Sequence, residues 1–68
     1  MEEADRALLR VYFEQDLSLQ KTCAALFLHK NTLQYRLNRI EKRCGLNPRS
    51  FRDGALLYLA LQAETAAR

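Results

Sequence analysis

The sequence has few of the residues from which metal sites and disulfide scaffolds are built. It contains one histidine and two cysteines, Cys23 and Cys44, and their separation of 21 positions is not the paired spacing of a zinc site. Two cysteines are also too few for the framework of a small secreted domain. We therefore expect no metal and no cofactor, and we expect reduced thiols in the protein core.

Features of enzymes and of membrane proteins are also missing. There is no phosphate-binding loop, no pair of carboxylates that predicts a catalytic pocket, and no nucleophile with a partner base, so we predict that the chain is not an enzyme. The longest apolar run, 55–61, is too short to span a bilayer, and the acidic start is not that of a signal peptide. We expect a cytoplasmic protein.

The residues that are present are those of an ordinary globular domain with an uneven charge distribution. The chain is 49% hydrophobic and 28% charged, and 68 residues suffice for one small domain, 1–68. The net charge is +3, yet the segment from Lys21 to Arg43 holds six basic residues and only one acid, Glu41, which leaves the remainder mildly acidic. A basic segment of this kind is typical of a nucleic-acid surface, although a solvated helix face has the same composition.

The hydrophobic spacing predicts four helices near 4–14, 18–27, 30–44 and 50–65. Ser18 is suited to cap the second helix, Gly45 to end the third in a left-handed conformation, and Pro48 to mark the break before the fourth. Neither the alternation of strands nor a hairpin signal is present, so no winged element is expected. The predicted fold class is all-α, a small four-helix domain containing a helix-turn-helix.

The second and third predicted helices have the pattern of a helix-turn-helix over Lys21 to Arg43. The second is short and has small residues, at 23–25, that favour close packing of another helix. The third has an apolar stripe at Leu33, Leu37, Ile40 and Cys44 and a polar outer face. Phe27 stands where many such units have a turn glycine, so the turn has to form without one. We predict that the third helix, starting near His29, enters the major groove of duplex DNA.

The candidate DNA-binding residues lie at the start of the second helix and along the outer face of the third. Amide, phenol and cationic groups are those that bind base edges and phosphates. Two narrower alternatives are that His29 only caps its helix and that Arg36 pairs with a carboxylate. The full candidate set is Lys21, Thr22, His29, Lys30, Asn31, Thr32, Gln34, Tyr35, Arg36, Asn38 and Arg39.

The stretch from Leu26 to Ile40, LFLHKNTLQYRLNRI, resembles the signature of the PucR/CdaR regulators of bacterial purine and sugar-diacid metabolism. The resemblance extends more loosely from Leu8 to Leu61, with Cys23 where that family more often has alanine. It implies a C-terminal DNA-binding helix-turn-helix, in which Phe27 is an accepted residue, and a longer parent regulator with an upstream sensor domain. It also implies DNA contact by His29, Lys30, Asn31, Thr32, Tyr35 and Arg36.

The fourth predicted helix is apolar on all sides over 55–61, which is more than one core-facing stripe requires. We expect part of it to meet a partner, either a second copy in a homodimer or a sensor domain. This feature suggests an alternative function. The chain would then be a helical protein-interaction or dimerisation module that uses helix 50–65, and its basic face would only be solvated.

Overall fold

The computed structural model describes residues 1–66, which form four α-helices and no β-strand. The helices are α1 (Glu3–Glu14), α2 (Leu19–Leu26), α3 (Lys30–Cys44) and α4 (Phe51–Ala66). The predicted all-α, four-helix fold class is therefore confirmed, and each helix begins and ends within one residue of the predicted position. None of the helices in this part of the chain has the length and hydropathy that a membrane crossing requires.

The core is built from α1, α3 and α4. α1 packs against α2 and α4, and α2 packs against α3. Because Tyr12 is buried, the pKa of its phenol is raised above the ordinary value, although the charge of Arg49 opposes the shift. Half-buried residues of α2, among them Leu19 and Leu26, close one side of the core. The fully buried apolar residues are Leu8, Leu9, Tyr12, Leu33, Leu37, Ile40, Leu57 and Leu61.

Two predictions about small side chains are wrong. Cys44 is exposed and its Sγ lies 3.5 Å from the carbonyl oxygen of Leu46, because the buried stripe of α3 ends one turn earlier, at Ile40. Cys23 is half-buried, so only one thiol is near the core. Ala24 and Ala25 are exposed and do not line a helix crossing.

The predicted caps of α2 and α3 are confirmed. The Ser18 hydroxyl accepts a hydrogen bond from the backbone N–H of Lys21 at 3.1 Å, which satisfies one of the free donors at the start of α2. Gly45 ends α3 with a positive φ of 77°, and its N–H donates to the carbonyl of Glu41 at 2.8 Å. Leu46 then folds back onto the core, as expected after a left-handed stop.

The start of α4 is fixed by two hydrogen bonds to side chains. The Ser50 hydroxyl accepts from the backbone N–H of Asp53 at 3.0 Å, and the Asp53 carboxylate accepts from the N–H of Asn47, also at 3.0 Å. Gly54 is buried in the first turn, where a Cβ would lie 2.9 Å from the carbonyl oxygen of Pro48. The helix and the preceding loop approach so closely that only glycine fits.

Candidate nucleic-acid interface

The turn between α2 and α3 consists of residues 27–29 and is made by Phe27 itself. Phe27 adopts the left-handed conformation, with φ 56° and ψ 41°, which glycine normally occupies. Its N–H and that of Leu28 both donate to the carbonyl of Cys23, and Leu28 packs against the core. The turn therefore has the geometry of a glycine stop although its left-handed residue, Phe27, carries a large side chain.

His29 caps α3. Its backbone is extended, and its Nδ1 accepts a hydrogen bond from the N–H of Asn31 at 3.3 Å. The capping role considered from the sequence is therefore present. An accepting Nδ1 leaves Nε2 as the nitrogen that carries hydrogen, so the exposed ring retains a donor for a second partner.

The first turn of α3 is exposed and free of acidic residues. Lys30, Asn31 and Thr32 are all solvent-exposed, and no aspartate or glutamate accompanies them. By contrast, the first turn of α1 has Glu3 and Asp5, and that of α4 has Asp53. A helix start carries partial positive charge and unpaired N–H donors, so this one is open to an external anion.

The outer face of α3 continues this surface along the helix. Tyr35 is 64% exposed, and Asn38 and Lys42 are also exposed, whereas Gln34 and Arg36 are half-buried at its edges. Within residues 1–66, no carboxylate lies within salt-bridge distance of Arg36, so the alternative pairing is not observed.

Of the two candidates on α2, only Lys21 has a free side chain. Lys21 is exposed, but Thr22 is 0% exposed, and its hydroxyl donates to the backbone carbonyl of Ser18 at 2.7 Å. The prediction that Thr22 contacts DNA is therefore wrong, because its side chain lies inside the domain. Thr22 is instead the buried residue of α2.

Arg39 also departs from the predicted role. Its guanidinium lies 3.5 Å from the carboxylate of Asp5, which is 1% exposed and is also approached by Arg43 at 3.4 Å. The Nε of Arg39 is buried and has no hydrogen-bond partner in the described part of the chain. Arg39 thus links α3 to α1, and we remove it from the contact set.

Sequence reasoning missed one residue next to the interface, Arg49. Its guanidinium donates to the side-chain oxygen of Asn38 and lies 3.9 Å from the carboxylate of Glu41. It thereby restricts one of the candidate amides. Arg49 is eleven residues from Asn38 in a loop, so no helical periodicity in the sequence points to the pair.

Charge is segregated around the exposed face. From Leu17 to Ile40 the chain has no aspartate or glutamate, and it has Lys21, Lys30, Arg36 and Arg39 as cations. Since only Arg39 of these is neutralised by a carboxylate of residues 1–66, the remaining positive charge faces solvent. This positively charged surface is complementary in charge to a polyanion.

Known proteins match this chain over most of its length. The family model described as the PucR C-terminal helix-turn-helix domain matches residues 6–63. The Carbohydrate diacid regulator of Escherichia coli (strain K12) is 46% identical over 59 residues, which is 87% of this chain and 15% of that protein. The Transcriptional activator PmfR of Paenarthrobacter nicotinovorans is 38% identical over 58 residues, 85% of this chain and 12% of that protein.

An uncharacterized protein of Bacillus subtilis (strain 168), YsfB, is 40% identical over 53 residues, 78% of this chain and 14% of its own length. The chain thus spans less than one sixth of the length of these three relatives. No solved structure shows a significant match.

Proposed function

The chain belongs to the family of PucR C-terminal helix-turn-helix domains, and from this premise we propose that it is the DNA-binding output domain of a longer transcriptional regulator. Its relatives include one protein named as a regulator and one named as a transcriptional activator, and the family consists of regulator domains and not of enzymes. The parent protein would carry a sensor domain upstream, which is consistent with the small share of each relative that this chain covers.

The recognition element in this proposal is α3, with its first turn in the major groove. The observation that carries the proposal is the exposed, carboxylate-free start of α3, where Lys30, Asn31 and Thr32 present cationic, amide and hydroxyl groups to solvent. A phosphate or a guanine edge supplies the acceptors that these side chains lack within residues 1–66.

The proposed contacts divide into two kinds. Lys21, at the start of α2, neutralises a phosphate of the groove wall and positions the domain. The side chains on α3 contact the base pairs, and Gln34 and Asn38 lie at the edges of this contact surface. The α3 contact set is His29, Lys30, Asn31, Thr32, Gln34, Tyr35, Arg36 and Asn38.

The test has two steps. The 68-residue chain first selects duplexes from a randomised library. Its affinity for the selected duplex and for a scrambled duplex is then measured by titration at several salt concentrations. We expect tighter binding to the selected duplex and an affinity that falls steeply as salt rises, because bound phosphates release counterions. Equal affinity for both duplexes, or no salt dependence, would contradict the proposal.

Lys30→Ala is the sharpest single substitution for this proposal. Loss of a base contact at Lys30 should cost about 1–3 kcal/mol of binding free energy and relax sequence preference at one position of the site. Lys42→Ala is the matched control, because Lys42 is an exposed lysine of the same helix about 18 Å further along its axis. Equal losses in both variants would show that the lysines only supply positive charge.

A second function is favoured by the side chains of α4. Of the eight large hydrophobic residues that are exposed within residues 1–66, four lie on this helix. We propose that this surface joins two copies in a homodimer, which would present two recognition helices to a site with two half-sites. The exposed residues are Phe51, Leu56, Tyr58 and Leu59.

A further inference from the structure

Phe27 combines a left-handed backbone with an almost fully exposed ring. Its φ of 56° places its Cβ in a crowded position that glycine avoids, and its side chain is 95% exposed. α3 ends in the same left-handed conformation and uses Gly45 there. Within the domain, Phe27 therefore bears the steric cost of a side chain without gaining burial.

The other left-handed residues of the described chain do not share this combination. Asp16 is a short polar residue of a kind that tolerates the conformation, and Leu17 retains much more of its side chain against the protein, at 38% exposed. Phe27 is the most exposed of the large hydrophobic residues within 1–66. The ring is thus placed for a contact outside the domain.

The surroundings of Phe27 indicate what it contacts. It lies two residues before the His29 cap and three before Lys30, in the middle of the carboxylate-free stretch from Leu17 to Ile40. An apolar ring within a positive surface is complementary to duplex DNA, whose anionic backbone also presents deoxyribose carbons and thymine methyl groups. An apolar pocket on a protein would match the ring but not the charge around it.

We propose that the ring of Phe27 packs against apolar carbons of the DNA duplex beside the start of α3. This inference rests on the proposed DNA-binding function and adds an uncharged anchor to its polar and cationic contacts. Because the ring neutralises no phosphate, its contribution to binding is independent of salt. In this respect it differs from the contribution of Lys21.

The test uses Phe27→Gly and measures stability and DNA affinity together. Glycine relieves the left-handed backbone, so Tm should rise by about 4–8 °C, the shift typical of one strained residue in a domain of this size. Loss of the ring contact should weaken binding to a selected duplex about tenfold. The slope of affinity against salt should not change.

Three further variants separate the possible causes. Phe27→Asn also suits a left-handed residue and should reproduce the loss of affinity, whereas Phe27→Tyr keeps the ring and should bind as the unmodified chain does. Leu17→Gly relieves another left-handed residue, with φ 66°, outside the proposed contact set and should leave the affinity for DNA unchanged. Unchanged affinity of Phe27→Gly, or an equal loss in Leu17→Gly, would overturn the inference.

The apolar group on the DNA is identified by replacing thymine with uracil in the duplex. If the unmodified chain loses affinity and Phe27→Gly does not, the ring contacts a thymine methyl group. If both bind the two duplexes equally while Phe27→Gly remains weaker, the ring contacts deoxyribose. If the unmodified chain bound no duplex at all, the proposed function would fail, an outcome distinct from normal binding by Phe27→Gly.

Discussion

Asp5 is a buried carboxylate that connects α1 to α3. Removing a carboxylate from water is costly unless it is paired, and here Arg39 and Arg43 supply the opposite charge at 3.5 and 3.4 Å. The two arginines are four residues apart and so lie on one side of α3. Their shared anchor fixes the rotation of α3 about its axis and thereby decides which side chains face outward.

We expect Asp5→Asn to reduce the free energy of unfolding by about 1–3 kcal/mol, because the amide keeps the shape of the side chain but leaves the half-buried Arg39 without an anionic partner. Urea unfolding followed by circular dichroism measures the change. Glu2→Gln is the control. Glu2 also pairs with Arg43, at 2.9 Å, but its side chain is 63% exposed, so the loss should stay below about 0.5 kcal/mol. Equal losses would show that the burial of Asp5 is energetically unimportant.

Individual contacts of this kind were the part of the site that the sequence did not predict. Arg39 was assigned to DNA because it flanks the polar face of a helical wheel, but Asp5 is 34 residues away in the chain and no periodicity connects them. Thr22 was assigned to DNA for its position at a helix start. Its burial depends on the packing of α2 against its neighbouring helices, α1 and α3, which becomes visible only in three dimensions.

At the level of helices, the sequence was a better guide. Spacings of four and three residues located the buried face of α3 at Leu33, Leu37 and Ile40, and the caps Ser18 and Gly45 are local signals that act within one turn. The pattern failed at Cys44. Periodicity predicts which face of a helix is apolar, but it does not predict how far along the helix the neighbouring elements cover that face. Nor does periodicity explain Gly54, a glycine inside α4 whose place depends on the close approach of the Pro48 carbonyl oxygen.

We expect Gly54→Ala to destabilise the domain by about 1–3 kcal/mol, although alanine is the better helix former by about 1 kcal/mol. The added Cβ would lie 2.9 Å from the Pro48 carbonyl oxygen, and that contact is with backbone that cannot rotate away. Thermal unfolding measures the change. Ala60→Gly, at an exposed position of α4, reports helix propensity alone and should cost about 0.5–1 kcal/mol. A stabilised Gly54→Ala variant would show that the loop can yield.

Across the whole molecule, two surfaces of different chemistry belong to different helices. The positive surface lies on α2 and α3, whereas α4 exposes a separate apolar set, Phe51, Leu56, Tyr58 and Leu59. α4 divides into two faces: Leu57 and Leu61 are in the core, and Phe51 and Leu59 face solvent. A homodimer through the solvent-facing side of α4 would place the dimer contact and the DNA contact on different helices of each copy.

We expect the 68-residue chain to sediment as a dimer at high concentration and Leu59→Glu to sediment as a monomer. Leu59 is 63% exposed, so the substitution should leave the domain folded, whereas a charge at the buried Leu57 would unfold it. Gln62→Glu adds the same charge at an exposed polar position of α4 and should preserve the dimer. Leu59→Glu should also bind a selected duplex more weakly, because two half-sites are then no longer joined. A monomeric unmodified chain would instead assign this face of α4 to another domain of the parent regulator.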